Sequence, residues 1–426
     1  MPYSYNVLYV TKYPYPQKSY FSILTIPIYF YTVMEFFYIT ALLILVAYSI
    51  LLGYCYYGFT TLPTIQYKHT ASTTSITVIV PARNEALNIL NCLHSITAQV
   101  YPTQLLQVII VNDYSTDATV PTVQAFAAKH PTLSISILNL QEHIPEHSTT
   151  SHKKQGIALA IAQATGSLIV CTDADCVAQP TWLASIAAYH QYTQAQCIAC
   201  PVVLLPTYCL MPLKQPSKLS YLQAFQMIDF VTLQGITAAA VHKQLFTMCN
   251  GANLAYTKAA FTAVGGFTGI DAIASGDDML LMHKIATAYP TQVAYYKCPQ
   301  ATVYSATTPT WQGLWQQRIR WASKSGYYND QSITYTLFLV YFTNVAALAI
   351  ILSVLIAPHN AVWALLYILI KSLVEYWFLV PVLRFYKQLY LGKWFWLSIP
   401  THILYTIIIG WLGKYGRYEW KGRVHS

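Results

Sequence analysis

The acidic residues of this chain are few and grouped. It holds 15 in all, and Glu85, Asp113 with Asp117, Asp173 with Asp175, and Asp277 with Asp278 account for nearly half of them. Acids placed for solubility scatter over surface faces, whereas these follow apolar strands or sit beside glycine. That pattern points to a site that handles a cation and phosphates. Asp173-Ala174-Asp175 follows the apolar run Ser167–Thr172, and residues two apart on extended chain point the same way. Two carboxylates on one side make a hard oxygen site for Mg²⁺ or Mn²⁺, and such an ion can neutralise a diphosphate leaving group.

The other groups each admit two readings. Asp113 ends the run Gln107–Val111, where a carboxylate can accept hydrogen bonds from a base or a ribose hydroxyl. Helix capping by Asp113 or Ser115, with Asp117 in the first turn, is an equal reading. Ser275-Gly276-Asp277-Asp278 precedes an apolar helical run. One of its acids could be a general base for an acceptor hydroxyl, or Ser275 or Asp277 could cap the helix. Gln317-Arg318-Ile319-Arg320-Trp321 offers guanidinium to a diphosphate and a flat ring to a sugar or lipid. A belt of Arg and Trp at a membrane edge is the even alternative.

These groups need a scaffold, and the sequence between Thr73 and about Asp330 supplies one. Strand-like runs at Ser75–Val80, Gln107–Val111, Leu133–Leu138 and Ser167–Thr172 alternate with helix-like runs at Glu85–Ala98, Ala118–Lys129 and Gln155–Thr165. Asn84 and Ser115 are expected to cap the first two helices. The alternation predicts βαβ units and a parallel sheet, with ligands at the carboxyl ends of its strands.

The flanks are of another kind. Hydrophobic residues make up 55% of the chain and charged residues 9%, against about 25% charged in a soluble domain. Phe37–Phe59 is long and apolar enough to span a bilayer, with Phe21–Val33 before it interrupted by Pro27 and Glu35. Tyr335–Ala357, Ala361–Leu383 and Trp394–Leu412 form a second apolar group. The expected division is therefore 1–72 as tail and anchor, 73–330 as an α/β domain, and 331–426 as membrane helices with a basic tail. Leu219–Val241 reads equally as an interfacial helix or as a buried helix of the domain. Lys371 and Glu375, four apart within an apolar run, are expected to pair. No cleavable leader is expected at the start.

Composition also excludes function classes. The net charge of +9 suits an anionic membrane surface and an anionic substrate. No dense basic run or repeated basic module points to nucleic acid. The nine cysteines are irregularly spaced, so no disulfide framework is expected. Cys197 and Cys200 lie in an apolar run without a second ligand pair, which argues against zinc.

Taken in order, Pro81-Ala82-Arg83-Asn84-Glu85, Asp113, Asp173-Ala174-Asp175, Gly276-Asp277-Asp278 and Gln317–Trp321 resemble glycosyltransferase family 2. More narrowly they resemble its membrane-bound branch with a QxxRW motif, which includes cellulose, hyaluronan and poly-N-acetylglucosamine synthases and carotenoid glycosyltransferases. The resemblance implies an α/β GT-A, Rossmann-like nucleotide-sugar domain with flanking transmembrane helices, and an inverting transfer. It implies that Pro81, Arg83, Glu85 and Asp113 line the nucleoside pocket, with Lys154 and Lys153 facing phosphate. Asp173 and Asp175 would hold the diphosphate through a divalent cation, Mg²⁺ or Mn²⁺, with Asp175 the more direct ligand. Asp278 matches the catalytic base. Asp277, Gln317, Arg320 and Trp321 would serve the diphosphate and the acceptor, and Cys249–Asn253 would lie near the donor sugar.

The implied partners are a nucleotide diphosphate sugar, a lipid or glycan acceptor and membrane lipid. The implied location is a bacterial inner membrane with the catalytic domain cytoplasmic. Asp-Asp in place of Thr-Glu-Asp, Lys284 in place of the common Arg, and the small membrane part favour transfer of one or a few sugars. The acceptor would be a glycolipid, a polyprenyl phosphate or a pigment. A processive polysaccharide synthase is the alternative, and a non-catalytic transporter or scaffold a further one. The basic tail from Lys414 makes Trp394–Leu412, with Pro400, a candidate re-entrant or interfacial segment.

Overall fold

A computed structural model describes residues 21–67, 72–145, 150–273, 276–327, 330–415, 418–420 and 423–425. The elements of the first half are α1 (Phe21–Thr61), β1 (Ile76–Ala82), α2 (Ile89–Thr97), β2 (Leu106–Asn112), α3 (Thr119–Lys129), β3 (Ser134–Asn139), α4 (His152–Gln163), β4 (Leu168–Cys171), β5 (Val177–Ala178), α5 (Trp182–Thr193), β6 (Cys197–Ala199) and β7 (Val202–Leu205). Those of the second half are α6 (Tyr221–His242), β8 (Leu254–Thr257), α7 (Lys258–Ala263), α8 (Asp277–Ala288), β9 (Val293–Tyr295), β10 (Val303–Ala306), α9 (Trp311–Ala322), α10 (Gln331–Ile356), α11 (Ala361–Phe385) and α12 (Gly392–Tyr415).

Seven strands form the main sheet in the order β3-β2-β1-β4-β8-β6-β9. β1 is central and nearly all of it is buried, as expected of a strand covered on both faces. It pairs in parallel with β2 and β4, so Ala82 lies opposite Asn112 and Ile79 opposite Cys171. The predicted strands are all present, but the sheet is mixed rather than parallel. β8 runs antiparallel to both β4 and β6, because it enters from the long α6 connection and not from a crossover helix. β5, β10 and β7 form a small second sheet.

The predicted caps do something else. Asn84 has φ 53°, and its Oδ1 accepts from the Thr116 amide at 2.8 Å. Ser115 Oγ accepts from the Asn84 amide at 3.1 Å, and Asp117 accepts from the Ala86 amide at 3.0 Å. These side chains therefore tie the β1–α2 loop to the β2–α3 loop. α2 starts only at Ile89, after Asn88.

Among the described residues, five helices are long and apolar enough to cross a membrane: Met34–Thr61, Tyr221–His242, Gln331–Ile356, Pro358–Phe385 and Leu389–Tyr415. α1 is one continuous helix through Pro27, not an interrupted run. α6 takes up nearly all of Leu219–Val241 and lies against both the α/β domain and the long apolar helices. Most of its length is covered, with Gly235 closed against Val382 and Phe378 of α11 and Gln234 Oε1 accepting from the Val202 amide at 3.2 Å. Lys297 fastens the domain to the anchor, since its Nζ donates to the Phe59 carbonyl in the last turn of α1 at 2.8 Å and to the Leu62 carbonyl just beyond it at 3.2 Å.

α12 passes Pro400 as one continuous helix, without the break that a re-entrant turn would need there. Both of its ends meet the α/β domain. Just before its start, Gln388 Nε2 donates to the Leu204 carbonyl at 3.4 Å. Near its finish, a Cβ on Gly413 would lie 2.3 Å from that of Ala322 in α9. No side chain but hydrogen fits at that crossing.

Candidate active site

The carboxyl ends of β1, β2 and β4 open into one cleft. Arg83 NH1 donates to the Asp113 carbonyl at 3.0 Å and lies 3.6 Å from Asp113 Oδ1. His152 Nδ1 lies 3.6 Å from the same oxygen, and its ring stacks on Tyr114 with centroids 5.5 Å apart. Asp113 is thus a buried carboxylate between two potential cations, and it does not cap α3. Glu85 Oε2 accepts from Asn88 Nδ2 at 2.8 Å. Pro81, Arg83, Glu85 and Asp113 all line the cleft.

Asp173 and Asp175 sit in a turn beyond β4, not on extended chain; the Cys176 amide closes the turn on the Asp173 carbonyl at 3.1 Å. Their side chains still converge. One oxygen of each and Cys176 Sγ lie within 4.8 Å of one another. Ser305 Oγ reaches Asp175 Oδ2 at 3.4 Å. Paired carboxylates of this spacing fit a hard divalent cation.

Lys153, not Lys154, faces these acids. Its Nζ is 3.5 Å from Asp173 Oδ1 and 3.1 Å from Asp277 Oδ2. Burial works to lower the Lys153 ammonium, but Asp277, Asp173 and Asp278 hold it well above the usual lysine value. The expectation that Lys154 faces phosphate is corrected by its geometry. Its Nζ donates to the carbonyls of Ile270 at 2.5 Å and Ile273 at 2.8 Å. Burial lowers it to about 8.

Asp277 and Asp278 open α8 behind Gly276, and no side chain among the described residues makes a capping hydrogen bond there. Ser275 lies outside the described residues. Asp278 Oδ2 accepts from the Gly251 amide and Oδ1 from the Met279 amide, both at 2.8 Å. A Cβ on Gly251 would stand 3.2 Å from Asp278 Oδ2, so glycine permits this approach. Lys324 Nζ is 3.9 Å from Oδ1. Burial raises the Asp278 carboxyl, but Lys324, Lys153 and the two amides outweigh it and hold it below the ordinary value.

α9 brings Gln317, Arg320 and Trp321 to the cleft from the other side. Gln317 Oε1 is buried with no hydrogen-bond partner among the described residues. Arg318 is buried beneath them. Its NH2 lies 2.8 Å from Asp229 Oδ2, an ion pair by distance though not an aligned hydrogen bond. Its guanidinium covers the Trp321 ring at 4.3 Å. Asn250 and Gly251, in the segment predicted to lie near the donor sugar, also line the cleft.

The cleft is one end of a connected cavity of about 1510 Å³. From the carboxylates it continues between α6, α10, α11 and α12. Leu337, Phe338, Trp411 and Tyr415 also line it and are themselves exposed. Sequence reading did not single out Lys324, His152, Cys176 or Ser305. Lys324 carried one signal, a lone cation three residues past Trp321.

A sequence profile described as "Glycosyltransferase like family 2" matches residues 73–324. The chain belongs to this family. Glycosyltransferase AglE of Haloferax volcanii is 31% identical over 108 residues, a stretch covering 25% of this chain and 33% of that protein. The match thus spans a third of that relative's length. Mannosyltransferase PcManGT from Pyrobaculum calidifontis, solved with GDP-Man and Mn²⁺, superposes on this family 2 chain with a TM-score of 0.58 at 19% identity. The superposition covers 86% of this chain and 98% of that one. The fold is therefore of the GT-A type, with long apolar helices added at both ends.

Proposed function

We propose that this chain moves a sugar, with inversion, from a nucleotide diphosphate sugar to a membrane-associated hydroxyl acceptor. One observation carries the reading: a single cavity joins the carboxylate cleft to an exposed apolar rim on α10 and α12. A soluble donor and a lipid-borne acceptor can meet there.

In this reading Pro81, Arg83, Glu85 and Asp113 receive the nucleoside. Asp175 and Asp173 hold a divalent cation, Mg²⁺ or Mn²⁺, which when bound supplies positive charge to the departing diphosphate. Lys153 and Arg320 add to that charge, and Gln317 and Trp321 frame the acceptor end. These α9 residues support placement in the QxxRW branch. Asp278 takes the proton of the attacking hydroxyl, its orientation fixed by the Gly251 and Met279 amides. Asp277 holds Lys153 in place.

The catalytic domain faces the cytoplasm, where nucleotide sugars are made. Support comes from the α11–α12 connection. It carries Lys387 and Lys393 beside Arg384 and touches the α/β domain through the Gln215–Lys387 and Gln388–Leu204 contacts. Basic connections mark the inner side of a membrane.

The test is to incubate membranes bearing the protein with a panel of radiolabelled nucleotide sugars. Label in the lipid-soluble fraction is the expected result. Label only in polymer would favour a processive synthase, and no incorporation from any donor would overturn the reading. Cysteine labelling from outside at a position near Asp175 would overturn the orientation.

A further inference from the structure

Away from the carboxylate cleft, the same cavity carries a polar cluster inside the helix bundle. Glu375 of α11 is its centre. Lys371 Nζ donates to Glu375 Oε1 at 2.6 Å, and Tyr48 OH of α1 donates to the same oxygen at 2.7 Å. Among the described residues Oε2 accepts no hydrogen bond. Glu375 lines the cavity, and so does His402 of α12, whose ring makes no hydrogen bond among the described residues. Leu52, Phe378, Leu379 and Phe395 supply apolar wall to the cavity, which Ser398 and Asp229 also line.

Ionisable groups within a membrane bundle are costly and face functional cavities. The Lys371–Glu375 pair offsets its own charge, so pairing alone requires no cavity. Yet a carboxylate and an imidazole line the same cavity from two helices. An imidazole N–H donates and a carboxylate accepts, which is the complement of a neutral hydroxyl. A phosphate would meet the carboxylate as a like charge and be disfavoured.

We infer that Glu375 and His402 form a second acceptor subsite. It binds a neutral hydroxyl of the acceptor lipid, remote from the hydroxyl that reacts at Asp278. The acceptor is then an uncharged lipid with an apolar body and at least two hydroxyl groups. This inference rests on the proposed transfer to a lipid and narrows its acceptor class.

The experiment uses the full-length protein in nanodiscs with the donor sugar found active. The acceptors are a long-chain n-alkanol and the α,ω-diol of the same chain length. A hydrogen bond to a charged group favours the diol by about tenfold in kcat/KM, beyond the twofold statistical factor of two equivalent ends. In His402→Phe, and in the double variant Lys371→Met/Glu375→Leu, which removes both charges together, that preference should fall to the statistical factor. Equal use of the two acceptors by the wild type, after that correction, would overturn the subsite while leaving lipid transfer intact. So would a preference that survives in both variants. If neither lipid nor any membrane lipid takes sugar, the function itself is wrong and the subsite falls with it.

Discussion

The ammonium of Lys153 lies 3.1 Å from the Asp277 carboxylate, and it reaches Asp173 from the same position. One cation thus bridges the acids that follow β4 and those that open α8. A divalent ion arriving at Asp173 and Asp175 competes with it. Lys153→Met should therefore tighten Mn²⁺ binding by about tenfold, a difference of ~1.4 kcal/mol, while raising the KM for the nucleotide sugar. Calorimetric titration of Mn²⁺ checks the first part, and weaker binding would show that Lys153 does not oppose the ion.

Asp278→Asn tests chemistry apart from binding. Loss of a general base costs about 100- to 10,000-fold in rate. Donor affinity should stay near that of the wild type, and Asp277→Asn should be milder. Near-normal transfer by Asp278→Asn would move the base elsewhere. Joint loss of donor binding and thermal stability would make Asp278 a structural anchor of the Gly251 loop.

Asp175→Asn should abolish donor turnover and weaken nucleotide diphosphate binding in the presence of Mg²⁺ or Mn²⁺. Excess chelator should do the same to the wild type. Full turnover in chelator would remove the cation from the mechanism.

Lys154 predicts a pH effect on stability. Its folded-state value is lowered to about 8 from 10.5, so the unfolded chain binds more protons between those values. Its contribution to stability is then present at and above pH of about 10.5 and is lost as pH falls through about 8. Thermal unfolding followed across that window should show a rising slope that Lys154→Met flattens, with donor affinity unchanged. An unchanged slope would place the titration elsewhere.

Much of the site was legible because its acids follow fully apolar strands, and a run such as Ile76–Val80 has one physical interpretation. The choice between Lys153 and Lys154 was not legible. It depends on the rotation of α4 about its axis, which begins at His152, three residues before the expected start. The loop roles of Asn84 and Ser115 were hidden because they arise from contact between two loops far apart in sequence. α6 was ambiguous because it packs against both the sheet and the membrane helices, which removes the one-sided pattern of an exposed helix. The Lys371–Glu375 pair was legible from helical spacing alone. Its Tyr48 partner was not, since nothing local relates α1 to α11.

α12 is fastened to the catalytic domain at both ends, at the Gln388–Leu204 contact and at the Gly413–Ala322 crossing. A displacement of α12 is then passed at once to α9, and with it to Gln317, Arg320 and Trp321. The far wall of the cleft is therefore carried by a helix outside the α/β domain, and a change in the seat of that helix alters the cleft without touching the sheet.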